Sequence, residues 1–138
     1  MESIFLMSLK DIQPSQLYIS TKKLAKIQEK IDPNNKESLE IIPVKKLGND
    51  IIYSDGHTRA YAAHLLGWQE VRVEWETEEL DWEMYEICVD WCKTDGIYTI
   101  ADLSSRVISH KDYEILWYER CNQLKKQMEE KRGKNTVK

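Results

Sequence analysis

The hydrophobic pattern of this chain changes its period once, near residue 79, and this change constrains the fold more than any other feature. Before it, β-branched runs such as Ile51-Ile52-Tyr53 alternate with short segments of helical spacing. After it, apolar residues such as Trp82, Tyr85 and Val89 recur every three to four positions, which is the period of an amphipathic helix. The sequence therefore predicts an α+β fold in two parts: a mixed-sheet core over residues 1–79 and a helical extension over residues 80–138.

The first part is predicted to follow the order β-α-β-β-α-β. Its elements are an extended segment (8–20), a helix capped at Ser20 (21–31), two hairpin strands (41–44 and 51–53), a helix (57–66) and a half-buried strand (71–75). Pro43 has no backbone N–H to donate. Its strand should therefore be an edge strand, or Pro43 should lie among the first residues of that strand.

The second part is predicted to contain three helices. The first ends at Asp95-Gly96, and Thr99 and Ser109 are typical caps for the next two. Large aromatic faces are enriched at interfaces. We therefore expect the tryptophans of this part to cover one face of the core or to form the contact of a homodimer: Trp82, Trp91 and Trp117.

The charge of the chain is mildly acidic and unevenly distributed. Its 20 basic and 24 acidic residues give a net charge of −4, which argues against broad, nonspecific binding of nucleic acid. The tail Lys125–Lys138, however, holds six basic and two acidic residues. This tail is usually a solvated end, but it leaves a contact with DNA or with an acidic partner open.

Targeting signals are not apparent in the 138 residues. No apolar run approaches the roughly 18 residues of a membrane span, and the stretch Met1–Met7 has no basic region before its apolar residues. Three cysteines, Cys88, Cys92 and Cys121, cannot all pair with one another. These features predict a reduced, cytoplasmic protein without a membrane partner.

The turn between the second hairpin strand and the following helix carries the strongest functional signal. A strand enters Gly56 and a helix leaves it, so free N–H groups and the positive end of the helix dipole face the end of the strand. Gly56 permits the tight turn and the close approach of an anion. Arg59 can bind two phosphate oxygens, Thr58 offers a hydroxyl, and His57 offers an imidazole that titrates near neutral pH. These residues predict an anion-binding turn.

Asp55 is the unexpected member of this turn, because a carboxylate repels a bare phosphate. We interpret Asp55 as a group that binds a cation, a hydroxyl or an amine, or that accepts a proton from a nucleophile. Glu40 is a second candidate base, although a surface carboxylate is the more common situation. His64 lies on the same helix face as His57 and is expected to be packed or hydrogen-bonded. An Asp-Gly pair before a helix is also common as a plain turn.

Residues 9–76 resemble the ParB/sulfiredoxin-like domain. The resemblance is carried by Pro14-Ser15-Gln16-Leu17, Ile42-Pro43-Val44, Gly56-His57-Thr58-Arg59-Ala60 and Leu66-Gly67-Trp68-Gln69-Glu70-Val71. It implies a ParB/sulfiredoxin-like mixed sheet in which Gly56, His57, Thr58 and Arg59 hold the phosphates of a nucleotide (ATP, ADP or CTP) together with Mg²⁺. It covers about half of the chain.

Within this family, the turn is most similar to the Asp-Gly-His-His-Arg turn of the free-serine kinases. Asp55-Gly56-His57-x-Arg59 matches it, with Thr58 in place of the second histidine. This similarity implies a nucleotide-dependent phosphotransferase acting on a small-molecule acceptor, with Asp55 and His57 as catalytic residues.

Three departures from the family pattern are visible. Sulfiredoxins have a cysteine directly after the glycine, where this chain has His57. The Glu-Asn-x-x-Arg phosphate motif of partition ParB proteins is not found after Trp75. Near the end of the first strand, where the kinases have a glutamate, this chain has Gln16 and Tyr18. The general base is therefore left open.

Two functions follow from the sequence. The leading one is a nucleotide-binding protein that acts as a phosphotransferase on a small molecule or as a nucleotide hydrolase, and the alternative is a non-catalytic, DNA-associated accessory protein of the partition or phage type. Residues 99–109 faintly resemble the start of a helix-turn-helix, but acidic residues follow them. Four soft ligands could in principle hold zinc: Cys88, Cys92, His110 and Cys121. We predict no metal site, because the pair Cys88 and Cys92 interrupts an apolar stripe where reduced cysteine acts as a core residue.

Overall fold

The computed structural model describes residues 3–136. Met1 and Glu2, which begin the N-terminal stretch discussed above, and Val137 and Lys138, which end the basic tail, lie outside the described residues. The described part combines a four-stranded mixed sheet with α-helices, which confirms the predicted α+β class. Within residues 3–136, no helix is long and apolar enough to cross a membrane.

The sheet has the strand order β1-β5-β3-β4. The strands of the chain are β1 (Ile4–Ser8), β2 (Ile19–Ser20), β3 (Ile42–Leu47), β4 (Asp50–Tyr53), β5 (Glu70–Trp75) and β6 (Val107–Ile108). β5 runs antiparallel to β1 and parallel to β3, while β3 and β4 form the predicted antiparallel hairpin. β2 and β6 form a separate parallel pair that joins the two parts of the chain.

The edge strand β1 lies where the sequence predicted no strand. Phe5 and Met7 pack against the core opposite Val73 and Val71 of β5, whereas Leu6 points to the other face and is 54% exposed. A run of four apolar residues does not alternate, so its pattern does not reveal the two faces of a strand. Residues 8–20 were predicted to form an extended segment. They instead form a 3₁₀ turn followed by irregular structure, and only the last two residues of the segment form a strand, β2.

Pro43 is the second residue of β3, which lies inside the sheet. The prediction that Pro43 lies among the first residues of its strand is confirmed, and the alternative of an edge strand is wrong. The carbonyl of Pro43 accepts from the N–H of Ser54 at 3.2 Å, just beyond the end of β4 at Tyr53. Because the hairpin ladder starts only at Val44, the missing N–H of Pro43 costs no ladder bond there.

Two helices belong to the first part: α1 (Thr21–Lys30) and α2 (His57–Leu65). Ser20 caps α1 as predicted, because its side chain accepts from the N–H of Lys23 at 3.3 Å. Gly67 follows α2 with a φ of +79°, and its N–H bonds the carbonyl of His64 at 3.0 Å. The predicted glycine stop of α2 is thus confirmed.

The second part contains α3 (Trp82–Thr94), a 3₁₀ helix (Ile100–Arg106), α4 (His110–Tyr113), a π-helical turn (Glu114–Tyr118) and α5 (Glu119–Thr136). Thr99 and Asp102 form a capping box, and Ser109 caps α4, as the sequence predicted. The segment after Thr99 is a 3₁₀ helix that leads into β6. It is therefore not the first helix of a helix-turn-helix.

One hydrophobic cluster contains side chains from both parts of the chain. Val44 and Tyr53 of the sheet share it with Cys92 and Trp117 of the helices. The buried side chain of Gln13 also donates from Nε2 to the carbonyl of Ile97 at 2.8 Å. The helical part is thus packed directly on the segment that precedes β2.

Candidate functional site

The turn between β4 and α2 brings a strand end and a helix start together around Gly56. Gly56 has a φ of +85°, a left-handed conformation that glycine adopts without strain. A β-carbon at this position would lie 3.1 Å from Nη2 of Arg59, so the guanidinium lies directly against the Gly56 backbone. Within the described residues, the N–H groups of His57 and Thr58 have no acceptor from the protein.

Asp55 and Arg59 lie on either side of Gly56. Oδ1 of Asp55 accepts from the N–H of Gly56 at 2.8 Å, and Oδ2 of Asp55 lies 3.5 Å from Nη2 of Arg59. Nη1 of Arg59 donates to the carbonyl of Ile41 at 2.6 Å, and only 18% of the Arg59 side chain is exposed. The Asp55 side chain is 79% exposed. The arginine is therefore anchored, whereas the carboxylate is free to exchange partners.

His57 is buried and acts as a hydrogen-bond acceptor. Its Nε2 accepts from the N–H of Ser15 at 2.9 Å, so the proton of the neutral ring lies on Nδ1. Burial, reinforced by the charge of Arg59, lowers the pKa of His57 to about 3. The ring also packs against Tyr53, with the ring centroids 4.9 Å apart. This arrangement holds the start of α2 in place and keeps His57 neutral near pH 7.

A cavity of about 340 Å³ opens beside this turn, within the range of small-molecule sites. We call it the turn cavity. One of its walls comes from the first part of the chain: Ser15, Gln16, Lys23, Ser54, Asp55 and His57. The opposite wall comes from the helices of the second part: Met84, Tyr85, Cys88, Tyr113, Trp117, Tyr118 and Cys121.

Hydrogen bonds connect the helical wall of the turn cavity to the wall formed by the first part of the chain. The hydroxyl of Tyr85 donates to the carbonyl of Ser54 at 2.7 Å, and Nε2 of Gln16 donates to the hydroxyl of Tyr113 at 2.9 Å. The pKa of Tyr85 is raised to about 12, mainly by burial and then by Asp55, so the hydroxyl remains a donor. Aromatic rings in such a wall offer flat faces on which a planar ligand can stack.

Lys23 of α1 places a positive charge at the aromatic end of the turn cavity. Its Nζ lies 5.3 Å from the ring centre of Tyr113 and 5.1 Å from that of Tyr118. Both distances lie within the range of a cation–π contact. The lining of the turn cavity therefore includes a cation, Lys23, and a carboxylate, Asp55.

A second, smaller hollow of about 230 Å³ is lined by Arg59. Lys26 and Lys30 of α1 also line it, together with Ser38 and Glu40. Lys23 and Lys26 lie about one helical turn apart on α1, so this helix contributes a lysine to each hollow. The contact between Asp55 and Arg59 joins a residue of the turn cavity to a residue of the smaller hollow.

The structure places the predicted site residues in two groups. Asp55 and His57 line the turn cavity, and Arg59 lines the smaller hollow, where the alternative base Glu40 also lies. Gly56 lies between these groups, under Arg59, and Thr58 is partly buried in the first turn of α2. His64 is partly exposed and contacts Tyr61 with its ring, away from the turn cavity.

Several residues of the turn cavity were not singled out from the sequence. Ser15, Lys23 and Tyr85 are far from the turn in the chain, and only the fold brings them to it. The cysteines also lay outside the sequence-based site, yet Cys88 and Cys121 line the same cavity as His57. Ser15 lies in the motif Pro14-Ser15-Gln16-Leu17, but that motif gave it no role at the site, and the other positions sit in ordinary helical patterns.

Two further expectations concern metal and nucleic acid. Within the described residues, no group of three or more His, Cys, Asp or Glu side chains is arranged to hold a metal ion. His110, one of the zinc candidates, instead shares a 2.8 Å hydrogen bond with Ser20. In the basic tail, Arg132 binds both Asp81 and Glu83, at 2.9 and 2.8 Å. This charge is therefore neutralised within the chain.

Comparisons with known proteins bear on the fold alone. No protein-family model and no curated protein matches this chain. Among solved structures, the chain is similar to the crystal structure of protein Atu1540 from Agrobacterium tumefaciens, with a TM-score of 0.50 and 14% sequence identity. The match covers 72% of this chain and 61% of Atu1540, so the chain spans less than two thirds of that protein.

Proposed function

We propose that this protein binds a nucleotide through a ParB/sulfiredoxin-like domain and transfers its terminal phosphoryl group to a small molecule that carries a hydroxyl. The observation that carries the proposal is the turn cavity, because it joins a glycine-bounded helix start to an aromatic wall. A nucleotide needs both kinds of surface. Its phosphates require N–H donors and cations, and its base requires flat apolar faces.

The phosphates are assigned to the start of α2. The N–H groups of His57 and Thr58 point out of the first turn, and the positive end of the helix dipole lies there. Within the described residues Arg59 keeps unused donors, since it donates one N–H to the carbonyl of Ile41 and approaches Asp55 only at a longer distance. In this arrangement a phosphate replaces Asp55 as the partner of Arg59.

The base is assigned to the aromatic end of the turn cavity. The ring of Tyr118, which is 37% exposed, offers the face for the base, and the buried ring of Tyr113 supports it edge-on at a ring-centroid distance of 4.9 Å. Lys23 lies over both rings. Stacking on aromatic side chains tolerates different bases, so the bases of ATP, ADP and CTP all meet this requirement. Lys23 is also close enough to the cavity to attract the negative charge of the ligand.

Mg²⁺ fits this site only together with the nucleotide. The described residues hold no preformed metal cluster, and Mg²⁺ is commonly bound by one or two carboxylates plus substrate phosphates. Asp55 is the exposed carboxylate at the turn and would supply the protein ligand. Bound there, the ion would neutralise charge on the phosphate oxygens.

The protein residues then have distinct roles in the transfer. Asp55 orients the acceptor hydroxyl, whose proton passes to water as the hydroxyl oxygen forms a bond to the terminal phosphorus. The bond from that phosphorus to the leaving phosphate breaks, and the nucleotide leaves one phosphate shorter. His57 is a positioning residue in this scheme, because its Nε2 is already bonded to the Ser15 amide and its ring stays neutral.

Isothermal titration with ATP, ADP and CTP, with and without Mg²⁺, tests the proposal. We expect at least one nucleotide to bind, and Arg59→Ala to weaken binding about tenfold or more, because a charge-assisted bond is worth roughly 1.5–3 kcal/mol. Arg132→Ala removes an arginine from the end of α5 and is the matched control that keeps wild-type affinity. Circular dichroism checks that Arg59→Ala remains folded. Binding that is absent for all nucleotides, or equal in both variants, contradicts the proposal.

A further inference from the structure

Two cysteines lie in the helical wall of the turn cavity. Cys88 lies on α3 and Cys121 on α5, both thiols are free, and both line the turn cavity. The two helices pack together at this point, because Arg120, next to Cys121, lies over the ring of Trp91, one helical turn after Cys88, with its guanidinium carbon 4.0 Å from the ring centre. Two free thiols that line one cavity from neighbouring helices can form a disulfide.

The two cysteines differ in exposure and in the pKa of the thiol. Cys88 is only 7% exposed, whereas Cys121 is partly exposed. The hydrogen bond from Cys88, and then the charge of Arg120, lower the pKa of Cys121, while the same contact and burial raise the pKa of Cys88. Cys121 is therefore the thiol that reacts first, since the thiolate is the nucleophile and access is required.

The third cysteine provides the contrast. Cys92 lies one helical turn after Cys88 on α3 but is fully buried, and its Sγ donates to the carbonyl of Gln16 at 3.6 Å. Burial raises the pKa of Cys92 to about 12. It does not line the turn cavity, so it has neither the partner nor the access that Cys121 has.

We propose that Cys88 and Cys121 form a reversible disulfide, by exchange with a low-molecular-weight disulfide such as oxidised glutathione, and that this bond narrows the turn cavity and weakens nucleotide binding. The second half of this statement rests on the proposed function. The first half concerns the two thiols alone.

The disulfide forms in two successive exchange reactions. The Cys121 thiolate attacks one sulfur of oxidised glutathione, which forms a mixed disulfide and releases one glutathione thiolate. Cys88 then loses its proton and attacks the Cys121 sulfur, which forms the Cys88–Cys121 bond and releases the second glutathione. The protein loses two electrons and two protons, and one oxidised glutathione becomes two reduced ones.

A disulfide changes the cavity because the bond fixes its two sulfurs at one short distance. The two sulfurs are held about 2.05 Å apart in a disulfide, closer than any thiol–thiol contact. Forming the bond therefore draws α3 and α5 together at the wall that also carries Tyr85 and Trp117. We expect the oxidised cavity to accept the nucleotide about fivefold or more weakly.

The test incubates the full chain in buffers of defined ratio of reduced to oxidised glutathione. Peptide mass spectrometry should then find a Cys88–Cys121 cross-link, and thiol counting should leave one free thiol, that of Cys92. Cys92→Ser should retain the cross-link, and both Cys88→Ser and Cys121→Ser should lose it. Titration with the nucleotide that binds best should give a weaker affinity in the oxidised protein, restored by dithiothreitol.

The outcomes separate the two claims. Three free thiols at every glutathione ratio, or a cross-link that includes Cys92, overturns the proposed disulfide. A Cys88–Cys121 cross-link with equal nucleotide affinity in both redox states overturns the control of the cavity. A cross-link in a protein that binds no nucleotide in either state supports the dithiol site and overturns the proposed function.

Discussion

The main-chain N–H of Ser15 donates a 2.9 Å hydrogen bond to Nε2 of His57, which joins the segment before β2 to the first residue of α2. The Ser15 hydroxyl donates to the carbonyl of Tyr53 at 2.8 Å, so Ser15 holds the end of β4 as well. A protonated Nε2 could not accept the Ser15 bond. The position of the α2 start is therefore coupled to the protonation state of His57.

Stability should fall in acid because of this buried histidine. In the unfolded chain His57 takes up a proton near pH 6.5, but in the folded protein its pKa is lowered to about 3. The unfolded state therefore binds more protons between these two values. The contribution of His57 to stability is fully present above pH 6.5 and is lost as the pH falls towards 3, at up to about 1.4 kcal/mol per pH unit.

Urea unfolding at pH 7, 6 and 5 measures this slope. His57→Gln can still offer a side-chain oxygen to the Ser15 amide but cannot titrate. The free energy of unfolding of this variant should therefore change less with pH than that of wild type, by a slope equivalent to about one proton taken up on unfolding. His64→Gln replaces the partly exposed histidine of the same helix and should keep the wild-type slope. Equal slopes for His57→Gln and wild type would show that His57 does not titrate on unfolding.

Gly56 should be more sensitive to substitution than another glycine of the same backbone type. Gly48 and Gly56 have φ values of +59° and +85°, so an alanine at either position is strained by about 1–2 kcal/mol. A new β-carbon at Gly48 meets no atom of the described residues within 4 Å, whereas at Gly56 it lies 3.1 Å from the Arg59 guanidinium. Of the two variants, only Gly56→Ala must therefore shift the Arg59 guanidinium, by a few tenths of an ångström.

The comparison of Gly48→Ala with Gly56→Ala separates strain from site geometry. Chemical denaturation should show a loss of stability in both variants. Nucleotide titration should show a loss of affinity, about tenfold, only in Gly56→Ala, because Arg59 is shifted away from the start of α2. If the two variants lose affinity equally, the close approach of Arg59 to Gly56 does not matter for binding.

The hydroxyl of Tyr85 should stabilise the contact between α3 and the turn. It donates to the carbonyl of Ser54 at 2.7 Å, in a partly buried position. Tyr85→Phe removes this bond without removing the ring and should cost about 0.5–1.5 kcal/mol. Tyr98→Phe removes a longer, exposed bond of 3.3 Å to Lys93 and should cost less. Thermal unfolding of both variants gives the comparison, and a Tyr98→Phe loss as large as that of Tyr85→Phe would contradict it.

Local patterns in the sequence were sufficient for the helix limits and the hairpin. The caps at Ser20, Thr99 and Ser109 and the glycine stop at Gly67 each depend on a few neighbouring residues, and all are present in the structure. The turn at Gly56 was likewise visible, because a strand, a glycine and a helix follow directly on one another. These features are set by contacts between residues close in sequence.

Long-range contacts were not predictable in the same way. β1 becomes a strand because β5 offers it an edge, and the turn cavity exists because α3 and α5 fold over the turn. The neutral state of His57 also depends on burial by distant residues, whereas the isolated side chain titrates near pH 6.5. The sequence could mark His57 as a site residue, but its protonation follows from tertiary packing.

Asp55 should determine how nucleotide binding depends on Mg²⁺. In the free protein its Oδ2 lies 3.5 Å from Nη2 of Arg59, so an incoming phosphate competes with this carboxylate for the arginine. Without Mg²⁺, Asp55→Asn removes the repulsion between carboxylate and phosphate, and we expect a higher affinity than in wild type. With Mg²⁺, the wild-type carboxylate can bind the ion that accompanies the phosphates, which the asparagine does poorly.

The gain in affinity on adding Mg²⁺ should therefore be large in wild type and small in Asp55→Asn. The control Asp112→Asn changes an exposed aspartate in α4 and should behave as wild type. Titration of all three proteins with and without Mg²⁺ measures this difference, and an equal effect of Mg²⁺ in wild type and Asp55→Asn would place the ion on groups other than Asp55.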